Sequence, residues 1–141
     1  MNAQRRILIS NFAHPVTRGL PADMVIGGPL PYGPVLMPKN CTELGLAWAK
    51  GGNNHIGLGL REFGKGAALS PAGIAARGEG DYAAVFATAA NLPADLWRNL
   101  ARYAGAHVWS ESNDVLLADN HVVALHSLKS EKKRIALPGK Y

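Results

Sequence analysis

The sequence predicts an α/β fold: part of a sheet with one clear helix, followed by a small antiparallel β meander. Three observations predict it. A short β-branched run, residues 6–10 (RILIS), opens the chain. One strand–helix–strand order, YAAVFA then NLPADLWRNLARYAG then AHVWS, spans residues 82–110. After it come short apolar runs separated by two- to five-residue connections, the pattern of a meander. The 141 residues suit one domain or part of one, and exclude a complete (β/α)8 barrel of roughly 250 residues. A hydrophobic share of 48% against 18% charged is globular and excludes a disordered chain. The 16 glycines and 9 prolines call for many turns and few long helices.

Each element has a local reason. Residues 6–10 read as a strand buried on both faces, closed by Asn11. Residues 11–21 (NFAHPVTRGLP) form a punctuated loop, because Pro15 keeps His14 extended and Gly19 and Pro21 close the exit. Residues 25–38 hold four prolines and three glycines and read as a coiling loop with a short strand at 34–37. Residues 42–49 (TELGLAWA) and 55–63 (HIGLGLREF) flank the turn KGGNN and predict a hairpin. Residues 67–80 show no period and fit a short helix or a loop equally. Residues 82–87 (YAAVFA) are an apolar strand.

The helix falls at 91–105. Pro93 suits its first turn, Asp95 faces the positive end of the dipole and Gly105 stops it. Leu92, Leu96, Leu100, Tyr103 and Ala104 form one apolar stripe, with Arg98 and Arg102 off it. Further strands fall at 106–110, 114–118, 121–128 and 134–137. The order at 82–110 reads as one right-handed, parallel βαβ unit. A parallel sheet needs helices on both faces, and only one clear helix is present. The expectation is therefore a half-domain at 1–110 with a β extension at 111–141 packed on it. Its open face would be covered by further sequence or by a partner chain, as in the C-terminal part of a longer protein.

The net charge of +5 is uneven: residues 129–141 hold Lys129, Lys132, Lys133, Arg134 and Lys140 against Glu131 alone. Such a tail has the electrostatics of an anionic-surface or nucleic-acid binder. It is short and lacks interleaved aromatics, which favours a charged turn guarding a strand edge. The one cysteine, Cys41, excludes an intrachain disulfide and a Cys-based zinc site. The first fifteen residues have no apolar core of signal-peptide length, and no run approaches 18 apolar residues, so a cytoplasmic location is the expectation.

Motifs for chemistry are sparse. Cys41 lies in PKNCTE, without the small flanking residues and following helix of a strained nucleophile elbow. No serine sits in G-x-S-x-G, and GKG at 64–66 completes neither a phosphate loop nor a dinucleotide fingerprint. His14, His55, His107, His121 and His126 include no HExxH and no H-x-H, so no metal and no cofactor is expected. No pair of carboxylates is singled out for glycoside hydrolysis. No catalytic residue is assigned. His14 stands out, in a loop just past a strand end where ligands of open α/β sheets collect, although its place before Pro15 favours a role bracing that turn. Trp48, Trp97 and Trp109 suit cores, interfaces or sugar stacking, and Trp97 beside the helix stripe points to an oligomer contact.

Two segments carry a family resemblance. The element HPVTRGLP within residues 9–21 and the stretch 91–128, NLPADLWRNLARYAGAHVWSESNDVLLADNHVVALHSL, resemble bacterial glycoside-hydrolase-like proteins. The similarity is to their class I glutamine amidotransferase-like domains, of the β-galactosidase-trimerisation and trehalose-utilisation type. Residues 22–90 match only loosely, through GLGLREFGKG and YAAVFATAANLP. The resemblance implies a flavodoxin-like sheet that has lost its cysteine nucleophile. It implies a non-catalytic role in oligomerisation within a carbohydrate-active assembly, beside a preceding barrel domain or chain. Family domains carry further βα units before HPVTRGLP that this chain lacks.

The reading is a structural association domain. Helix 92–104 with its adjoining strand is the packing unit, and Trp97 and Arg98 are the interface residues. The competing reading is a sugar or small-ligand module that uses Asn11, His14 and Arg18. A nucleic-acid binder, resting on the basic tail, comes third; no membrane partner is expected.

Overall fold

A computed structural model describes residues 4–28, 37–49, 54–64, 82–119 and 121–139. Five strands form one sheet in the order β2-β1-β3-β4-β5: β1 (Gln4–Ile9), β2 (Val25–Ile26), β3 (Thr42–Ala49), β4 (Asn54–Phe63) and β5 (Tyr82–Ala87). Helix α1 (Ala94–Tyr103) follows, then a two-stranded sheet of β6 (Val115–Ala118) and β7 (Val123–His126).

Every strand pair among the described residues is antiparallel. The chain is mostly β, and the expected α/β, flavodoxin-like half-sheet is overturned. The reason lies in where residues 106–110 go. The βαβ reading required them to return beside β5 in parallel. Instead β5 pairs antiparallel with β4, and the stretch after α1 turns to the C-terminal segment. There Ala136 N–H donates to the Trp109 carbonyl at 2.8 Å, and His107 Nε2 lies 2.7 Å from the Ala136 carbonyl oxygen. Periodicity identified the elements, but the direction of pairing depends on contacts far apart in the chain.

The 42–63 hairpin forms as expected, with Leu46 opposite Ile56 and Ala47 opposite His55. Register breaks in β1 beyond Gln4 and in β3 around Gly45 curl the sheet. Strand β1 is buried on one face only: Ile7 and Ile9 point into the core, Leu8 is half-buried and Arg6 exposed. The expectation of burial on both faces is corrected accordingly. A two-residue β2 stands at 25–26, whereas residues 34–36 of the expected short strand, the 50–53 turn and the 67–80 stretch lie outside the described residues. Residues 106–110 and 134–137, expected as strands, join no ladder.

One face of the sheet carries the core. Ile7, Ile26, Leu44, Leu58, Leu60 and Leu96 are almost fully buried, and burial of each contributes about 1.5–3 kcal/mol. Gly57 permits the close approach of β1, β3 and β4. A Cβ there would lie 2.6 Å from Ala47 Cβ and 2.9 Å from Ile7 Cγ1. Helix α1 covers this face: Leu96 and Tyr103 are buried, and Leu92 and Leu100 pack against the same cluster. Ala104, at the end of the predicted stripe, is exposed. The helix ends in a Schellman motif. Gly105 (φ 77°) donates to the Arg102 carbonyl at 3.0 Å, and Ala106 donates to the Ala101 carbonyl at 2.8 Å.

Candidate functional site

Polar side chains gather at two places: the turn after β1, and the junction of α1 with the segment leading into the β6–β7 hairpin. The turn is a closed hydrogen-bonded unit. Thr17 and Arg18 N–H donate to the His14 carbonyl at 3.0 and 2.8 Å, and Gly19 leaves it at φ 76°. The fully buried Thr17 hydroxyl donates to the Asn11 carbonyl and lies 3.2 Å from that of His14. Asn11 Oδ1 accepts from Ala13 N–H at 3.2 Å, while its Nδ2 donates to the Glu43 carbonyl at 3.3 Å. Arg18 is exposed, and its Nη2 donates to the Ala13 carbonyl at 3.3 Å. Asn11, His14 and Arg18 thus belong to one turn, as the sequence placed them, and each makes a hydrogen bond within it or to β3.

His14 is only 7% exposed. Its Nδ1 accepts from the Val16 N–H at 3.2 Å, which makes it the brace of the Pro15 turn and puts the ring proton on Nε2. Nε2 is buried and has no hydrogen-bond partner. The His14 ring lies 5.4 Å from that of Tyr103, whose hydroxyl donates to the Glu62 carboxylate. Burial holds the His14 imidazole below the ordinary histidine range, and the Glu62 charge opposes that shift. This meeting of β1 turn, β4 and α1 was missed from the sequence. Tyr103 was assigned to the apolar stripe, and the signal for more was its polar tip 41 residues from Glu62.

The same turn is tied to the helix. Asn99 Nδ2 donates to the carbonyls of Val16 at 3.0 Å and Arg18 at 3.1 Å. Asn99 escaped notice in the sequence because a polar residue off the stripe reads as a solvated position.

At the second place, Arg98 is the organiser. Its side chain is 14% exposed and pairs with Asp95. It also donates to the Ser112 carbonyl at 3.2 Å and to Asn113 Oδ1 at 2.8 Å. Arg102 pairs with Glu111, whose carboxyl is held below its ordinary value by that bond. Lys133 Nζ lies 2.7 Å from Asp114 Oδ2 and 2.8 Å from Glu131 Oε1. The Lys133 bond, then the Leu128 N–H, then Ser112 bring Asp114 down to about 2. Trp97, the residue before Arg98, is 57% exposed and borders a crevice of about 360 Å³ with Ala101, Val108, Trp109 and Leu116. Of the tail cations, Lys133 is thus committed to ion pairs, while Lys129, Lys132 and Arg134 are exposed.

No catalytic constellation assembles at the turn, since Nδ1 of His14 takes a backbone N–H and Nε2 meets no nucleophile. Cys41 is half-buried beside Gly59 and leads into strand β3 rather than a helix. Among the described residues no three His, Cys, Asp or Glu side chains come together as a metal site, and no helix is long and apolar enough to cross a membrane. Comparison with protein families, curated proteins and solved structures returned no match to this chain.

Proposed function

We propose that the chain is a non-catalytic association domain that works within a carbohydrate-active, β-galactosidase-like protein. The carbohydrate context rests on the resemblance of HPVTRGLP and of residues 91–128. The association role rests on the outer face of the β6–β7 hairpin. Opposed residues share a face, so Val115, Leu117, His126 and Ala124 lie on one side and Leu116, Leu125, Ala118 and Val123 on the other. The second side is half-buried at Leu116, Val123 and Leu125, whereas on the first Val115 is 54% and Leu117 69% exposed. A two-stranded hairpin is marginal by itself, and an apolar outer face gains by being covered.

The occupant proposed is a second copy of this chain. Asp119 stands at the hairpin tip, where it accepts from the N–H groups of His121 and Val122, both at 2.7 Å. The base carries Lys129, Lys132 and Arg134, located there by the Lys133–Asp114 pair. A two-fold, face-to-face arrangement sets the tip of each hairpin against the basic base of the other. Sedimentation velocity over a concentration series tests this. The wild type should associate, and Leu117→Glu should stay monomeric with unchanged circular dichroism. A wild type that is monomeric throughout defeats the homo-oligomer; if it then captures a preceding barrel domain supplied in trans, that domain is the occupant.

A second reading, a sugar or small-ligand module at the turn, is favoured by the buried, unpartnered Nε2 of His14 in the same turn as the exposed Arg18. Titration with galactosides should then shift His14 and Arg18 resonances saturably. Unmoved resonances dismiss it.

A further inference from the structure

We propose that His14 is a proton-operated clasp that holds the turn at residues 11–20 onto helix α1. The clasp is built from two linked hydrogen-bond steps. In the first, the neutral ring accepts the Val16 N–H at Nδ1, a bond only an unprotonated Nδ1 can make. In the second, the Val16 and Arg18 carbonyls accept the Asn99 side chain of α1. A proton added to Nδ1 sets one N–H against another. The Val16 backbone must then withdraw, and it carries with it a carbonyl that anchors the helix. The ring is too buried to turn its charged edge to water.

The groups facing His14 decide when this happens. From β4 the Glu62 carboxylate favours the cation. From α1 the Tyr103 ring faces it, with the hydroxyl committed to Glu62. Within the turn, Arg18 is engaged at the Ala13 carbonyl. Burial outweighs Glu62, so the folded imidazole titrates below its ordinary value of about 6.5. The closed turn is therefore fully stable above about pH 6.5 and loses stability as pH falls from there through the folded value. This device is independent of the association reading.

The test is nuclear magnetic resonance on the full chain. Histidine ¹⁵N shifts should report the Nε2–H tautomer for His14 at neutral pH. Amide exchange at Val16 and Arg18, corrected for its intrinsic pH dependence, should show an opening constant that rises by up to about tenfold per pH unit below about 6.5. In His14→Asn the amide oxygen takes the acceptor position of Nδ1 without titrating, so the constant should stay flat. An Nδ1–H tautomer, a flat wild-type profile, or the same pH response in both proteins overturns the clasp. If the variant does not fold, the wild-type tautomer and profile decide.

Discussion

Gly57→Ala is the sharpest probe of the core. The added methyl would lie 2.6 Å from Ala47 Cβ, 2.9 Å from the Ala47 backbone nitrogen and 2.9 Å from Ile7 Cγ1. Carbon contacts are optimal at about 3.5–4.0 Å, so all three are deep in the repulsive range. Ile7 can shift its side chain; the Ala47 nitrogen is fixed in a ladder between β1 and β4 and cannot. Overpacking of this kind costs about 1–3 kcal/mol, against about 0.4–1 kcal/mol regained by restricting the unfolded chain. The net expectation is a loss of about 1–2 kcal/mol, read as a lower midpoint in urea with an unchanged slope. Gly139→Ala, which meets nothing within 4 Å, serves as the neutral control. Adding Ala47→Gly should restore only part of the loss, since the contacts to Ile7 and to the backbone nitrogen remain. A Gly57→Ala protein as stable as wild type would refute the packing of these three strands.

Two further outcomes follow from the polar ties. Asn99→Ala removes both side-chain bonds to the 11–20 turn and leaves the part-buried Val16 carbonyl without its donor, so stability should fall by about 1–2 kcal/mol in denaturant titration, with faster exchange at Thr17 and Arg18. Asp114 titrates at about 2, below its ordinary value near 3.8, so its stabilising pairing is complete above that ordinary value and is lost as pH falls through about 2. Melting temperatures of the wild type should therefore drop across that acid window, and those of Asp114→Asn should drop less.

Local signals made much of the chain legible. The helix, the 42–63 hairpin and strand β5 were readable because a 3.6-residue stripe, a turn cluster and a short apolar run are properties of neighbours. The turn at 11–20 was also legible: Pro15 and Gly19 mark it, and the brace by His14 follows from its place before Pro15. Pairing direction was not. The run 106–110 has the same composition whether it joins β5 or meets Ala136, and only the Trp109 and Ala136 backbone groups reveal which. Likewise Asn99 looked like a solvated helix position, and nothing local showed that Arg98, expected at an interface, would meet the Ser112 carbonyl.

The sequence by itself determined where helix, hairpins and turns lie, that Cys41 sits in no nucleophile elbow, and that charge gathers toward the C-terminus. The tertiary structure alone decided that the sheet is antiparallel and that β1 is buried on one face. It alone brought His14, Glu62 and Tyr103 together and left Val115 and Leu117 facing outward. The physical reason is range: propensity and periodicity act over a few residues, whereas strand direction, burial of a polar ring and exposure of an apolar face are fixed by groups tens of residues apart.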